Sequence, residues 1–107
     1  TAAFGISGIE TAFAVCYTEL VANGLITLKE LTMKMSYNPA RILGLNVGEI
    51  RVGTPADIVI VDTAKKVTID RENLISKGKN TPFHGRSYFG EILYTLVDGK
   101  VVYEYRE

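Results

Sequence analysis

Three scarcities frame this chain of 107 residues. Cys16 is the single cysteine, which excludes an internal disulfide and fits a reducing compartment. His84 is the single histidine, whereas a catalytic zinc site takes about three protein ligands that usually include His. No apolar run approaches the roughly 18 residues of a membrane-spanning helix, which points to a soluble protein with no membrane partner. Charge of one sign is also lacking: 12 basic residues face 12 acidic ones, and no cluster of Lys and Arg marks a nucleic-acid surface. The chain starts at Thr1 without a basic-then-apolar leader, so the expectation is a cytoplasmic segment of a longer protein. No internal repeat or low-complexity stretch is present.

What remains is ample apolar material, 47% of residues, enough for one domain's core at most. The first third has helical spacing. Ile9, Ala12, Phe13, Cys16, Leu20 and Val21 recur with that period over residues 9–23, and Gly24 supplies the left-handed position that ends many helices. Thr27 and Glu30 form a capping box ahead of Leu28, Leu31 and Met35, one face of a second short helix. Asn38 and Pro39 suit the start of a third, with Arg41 to Leu43 inside it and Gly44 after it. The first of these has a wide apolar face and no obvious sheet of matching size downstream. Its partner is therefore expected upstream, outside this chain.

Beyond Gly44 the period changes. Residues 48–52 suggest a short strand, and Gly53-Thr54-Pro55 a turn. Ile58, Val59, Ile60 and Val61, bracketed by Asp57 and Asp62, suggest a strand buried on both faces. Residues 66–70 alternate like a further, half-exposed strand. Asp98-Gly99 between residues 93–97 and 100–105 is the pattern of a hairpin with a type I′ turn. Residues 76–86 are a polar loop. The expected total is five or six strands.

The chemistry-bearing residues are few. No carboxylate or thiol stands near His84 at ligand spacing, so a hydrogen-bonded or solvated loop histidine is the plainer reading. Cys16 lies on an apolar helix face and fits a small core residue better than a nucleophile. Asp57 and Asp62, five apart in a strand, point to opposite faces and do not converge for acid–base work. Ser76-Lys77-Gly78-Lys79-Asn80 lacks the glycine-to-lysine spacing of a phosphate loop. Gly5 and Gly8 precede the first helix, where glycine permits close backbone approach. No catalytic residue and no metal ligand is identified in the chain.

Several runs taken together resemble the C-terminal part of dihydroorotases of the amidohydrolase superfamily. Phe4-Gly5-Ile6-Ser7-Gly8-Ile9-Glu10-Thr11-Ala12-Phe13 is similar to the run after the last barrel strand of the bacterial long-chain type. Asn38-Pro39-Ala40-Arg41-Ile42-Leu43-Gly44-Leu45 is similar to the last helix of the barrel region. The stretch from Gly53 to Asp62 is common across the superfamily. Ser76-Lys77-Gly78-Lys79-Asn80-Thr81-Pro82-Phe83, followed by Gly85, is particular to dihydroorotases.

The resemblance implies an α/β chain. Residues 1–45 would be the C-terminal helical part of a (β/α)8 barrel, and residues 46–107 the C-terminal portion of a small β-sandwich. It implies a zinc-dependent enzyme that interconverts N-carbamoyl-L-aspartate and L-dihydroorotate in pyrimidine synthesis. Two zinc ions would polarise the substrate carbonyl and activate water, on ligands upstream of this chain. This part alone would be inactive, its partners being the N-terminal remainder and the small-molecule substrate; a homodimer is left open. Phe4 and Gly5 match two positions of the family's Pro-Phe-Gly run, which contacts the pyrimidine ring through backbone atoms, and Ala3 replaces the proline. Two alternatives stand beside this one: a segment of an allantoinase or hydantoinase, and a free-standing, non-catalytic β-rich binding module.

Overall fold

A computed structural model describes residues 4–106. Its first helical element, α1, spans Ala12–Cys16 and continues as a π-helical stretch, Tyr17–Ala22. It starts later than the apolar spacing suggests, because residues 9–11 form a turn in which Ile9 is solvent-exposed. Gly24 does take a positive φ, +78°, at the end.

The second element, α2 (Leu28–Thr32), opens with the expected capping box. The Thr27 hydroxyl accepts from the Glu30 N–H, and the Glu30 carboxylate accepts from the Thr27 N–H. The expected third start does not occur as such. α2 runs through a π-helical stretch, Met33–Tyr37, straight into α3 (Asn38–Leu43), so Asn38 is helical and caps nothing. The widened turn leaves room for Pro39, whose ring would collide with the carbonyl four residues back in a regular α-helix. Gly44, at φ +70°, ends the run as expected.

Only three strands form among the described residues, fewer than the five or six expected. β1 (Ile58–Thr68), β2 (Ser87–Val97) and β3 (Lys100–Glu104) make one antiparallel sheet in the order β1-β2-β3. Residues 48–52 are bends and turns, a correction to the expected strand: Gly48 at φ +87° packs against Ser36 and Ala40 at the helix end instead of joining a ladder. The two segments expected at 57–62 and 66–70 are largely one strand, β1, interrupted by an irregularity between Asp62 and Lys66. The β2–β3 hairpin turns at Asp98 and Gly99, both with positive φ as a type I′ turn requires.

The helix and sheet meet over β2. Ala14, Ile69 and Tyr88 form the buried cluster, with Val15 and Phe83 packed against it. Gly90 in β2 has φ +111°, and a Cβ there would lie 3.1 Å from the Phe13 ring. Thr18 ties the π-helical stretch to the same strand, its hydroxyl accepting from the Phe89 N–H at 2.7 Å. Part of the partner of α1 is thus in this chain, contrary to the expectation of a wholly upstream one. The four-residue β-branched run corrects a second expectation: Val59 and Ile60 are 51% and 46% exposed instead of buried on both faces.

Candidate functional site

The segment at residues 4–10 lies along the loop at residues 74–80. Gly5 carries φ +98°, a backbone shape that favours glycine, and nothing stands within 4 Å of the Cβ it lacks. The glycine therefore serves the backbone conformation. The Phe4 side chain is fully exposed.

Four polar groups join the two segments. The Asn80 side-chain amide donates to the Gly5 carbonyl. The Asn80 carbonyl accepts from the Ser7 N–H at 2.7 Å. The Ser7 hydroxyl donates to the Gly78 carbonyl at 2.8 Å, and a Cβ on Gly78 would meet that hydroxyl oxygen at the same distance. One turn later, the two carboxylate oxygens of Glu10 accept from the N–H groups of Ile75 and Ser76, each at 3.1 Å. A carboxylate accepting two adjacent backbone donors is a charge-assisted, two-point contact. The loop is closed on itself as well, because Lys79 Nζ donates to the Leu74 carbonyl and Leu74 is buried.

The other candidates hold structural contacts. His84 Nδ1 accepts from the Arg71 N–H at 3.1 Å and lies 3.9 Å from Asp70, which together fix the turn beside β1. Asp57 accepts from the Asp98 N–H at 2.8 Å and so supports the hairpin turn, while Asp62 accepts from the Ala64 N–H at 3.0 Å. Cys16 is half-buried. Ala3 lies outside the described residues.

Among the described residues, no group of three or more His, Cys, Asp or Glu could hold a metal ion. The lone imidazole already has its Nδ1 engaged by a backbone N–H, so these residues do not fit a resident zinc. No helix among them is long and apolar enough to cross a membrane.

Sequence reasoning singled out Phe4 and Gly5 at one end of this arrangement and the run from Ser76 at the other. It missed Ser7, Glu10 and Asn80 as the residues that join them. Gly and Ser in both segments, with Asn80 in the second, were the available signal, but the pairings span 65 to 75 positions and leave no local pattern.

The model of the amidohydrolase family matches residues 2–102. The chain belongs to that family. It is 49% identical over 100 residues to a dihydroorotase of Clostridium botulinum, a match covering 94% of this chain and 25% of that protein. It is 54% identical over 103 residues to a dihydroorotase of Caldanaerobacter subterraneus, covering 96% and 24%. The dihydroorotase of Bacillus subtilis is 46% identical over 103 residues, with the same coverage. Among solved family structures, the L-hydantoinase (dihydropyrimidinase) of Arthrobacter aurescens superposes with a TM-score of 0.91 at 32% identity, over 99% of this chain and 24% of that one. The chain thus spans about a quarter of the length of the curated relatives it matches.

Proposed function

We propose that this chain is part of a dihydroorotase, a cyclic amidohydrolase that interconverts N-carbamoyl-L-aspartate and L-dihydroorotate. The carrying observation is identity of 46–54% to proteins of that name over nearly the whole chain. In this reading residues 1–45 belong to the C-terminal helical part of a (β/α)8 barrel. Residues 46–107 belong to a β-sandwich, other strands of which cover Val59 and Ile60. The enzyme works in pyrimidine synthesis in the cytoplasm, the single half-buried cysteine suiting a reducing compartment.

Phe4 and Gly5 present backbone to the substrate ring. Support comes from the exposed position of Gly5, where nothing stands within 4 Å of the Cβ it lacks. Zinc belongs to the rest of the enzyme. A site built this way has its chemistry elsewhere, and this chain contributes orientation, a term that can be large when the reacting groups are held closely.

Steady-state assays of the full-length gene product with dihydroorotate, carbamoyl-aspartate, hydantoin and allantoin test the reading. The expected order of kcat/KM puts dihydroorotate and carbamoyl-aspartate first. The second reading, a hydantoinase-type enzyme, is favoured by the Arthrobacter aurescens superposition, and a preference for hydantoin would establish it in place of the first.

A further inference from the structure

We propose that Asn80 and Glu10 are positioning residues: the loop at residues 74–80 clasps the segment at residues 4–10 and sets the backbone that meets the substrate. The inference rests on the reading of Phe4 and Gly5 as substrate contacts and deepens it. A Cβ at Gly5 would meet nothing within 4 Å and the Phe4 ring is in solvent, so side-chain packing does not hold this backbone. Its position depends on hydrogen bonds delivered from a loop about 70 residues away in sequence.

Asn80 is the centre of that arrangement because it acts twice. Its side chain donates to the Gly5 carbonyl and its own carbonyl accepts from the Ser7 N–H. Together these fix the backbone on both sides of Ile6. Glu10 anchors the far end through Ile75 and Ser76. A displaced contact loop weakens orientation of the substrate without touching the groups that do chemistry elsewhere. The loop at residues 74–80 then affects substrate affinity although it touches no reacting atom.

The test uses the full-length enzyme. Asn80→Asp keeps the shape, removes the donor and sets a carboxylate against the Gly5 carbonyl. It is expected to raise KM about tenfold, with kcat within about twofold, metal content unchanged, and faster hydrogen exchange at the Ser7 amide. Asn80→Gln retains an amide donor and should recover part of the loss. Glu10→Gln keeps one acceptor oxygen and is expected to raise KM by about threefold, with faster exchange at Ile75 and Ser76.

A folded Asn80→Asp enzyme with KM within about twofold of the parent overturns the clasp. Should that variant not fold, Glu10→Gln decides by the same measure. Gly5→Ala separates the two ideas. A raised KM there alone keeps the substrate contact and sinks the clasp, whereas no change in either variant sinks both. If the parent prefers another cyclic amide, the KM ratios are read on that substrate, so the clasp is judged independently of dihydroorotate.

Discussion

Around Ala14, Ile69 and Tyr88 the helix and the sheet exclude water from each other, whereas Val59, Ile60, Val101 and Val102 of the same sheet remain 46–62% exposed. Both regions are built from residues that favour burial, and both involve the antiparallel sheet, whose register shifts between Ile60 and Val61 and between Thr95 and Leu96. The difference is the presence of a covering layer. α1 crosses β2 where Gly90 lets the Phe13 ring approach, while no element among the described residues covers the β-branched run of β1 to the same degree. An apolar run in a sequence thus records a demand for cover, and whether the same chain meets that demand is a separate matter. A chain that spans a quarter of its relatives' length meets it in one place and leaves it open in another.

The covered region is most sensitive at Gly90. Gly90→Ala combines a left-handed backbone with a contact at 3.1 Å to Phe13, and we expect a loss of about 3 kcal/mol in urea denaturation. Gly99→Ala, in the hairpin turn at φ +76° with open space around it, has only the backbone strain and should cost about 1 kcal/mol. Equal losses at the two glycines would show that close packing of Phe13 on β2 contributes nothing. Thr18→Val, which deprives the Phe89 N–H of its acceptor at the helix–strand junction, is expected to cost about 1 kcal/mol by the same method. The smallest effect belongs to the exposed β-branched residues. Val59→Thr with Val102→Thr should change stability by less than about 0.5 kcal/mol in this chain and reduce self-association in sedimentation velocity. A large stability loss there would mean that these residues are covered within the chain after all.

Legibility followed distance along the chain. The capping box at Thr27 and Glu30, the left-handed glycines at 24 and 44, and the Asp98-Gly99 turn were all readable, because each is decided by contacts within a few residues. The helix restart expected at Asn38 was not made, since a π-helical turn absorbs Pro39 without interrupting the helix. The strand expected at residues 48–52 failed because Gly48 is held against the end of α3 by packing that no local pattern announces. β2 extends back to Ser87, well before the expected start at 93, because Tyr88 and Gly90 are placed under α1 and Phe13 by tertiary contact.

For the candidate site the division is similar. Phe4, Gly5 and the run from Ser76 stood out as sequence, by glycine placement and by resemblance. Their joining through Ser7, Glu10 and Asn80 needed the fold, because a hydrogen bond across some 70 residues depends on where two loops are carried by the elements between them.

By itself the sequence determined the capping box at Thr27 and Glu30, the helix-ending glycines 24 and 44, the Asp98-Gly99 turn and the apolar demand of its strands, all consequences of residue chemistry and short-range geometry. Tertiary structure decided which apolar surfaces are covered and which loops are clasped. Those outcomes depend on long-range packing, and packing compares whole faces where sequence patterns compare neighbours.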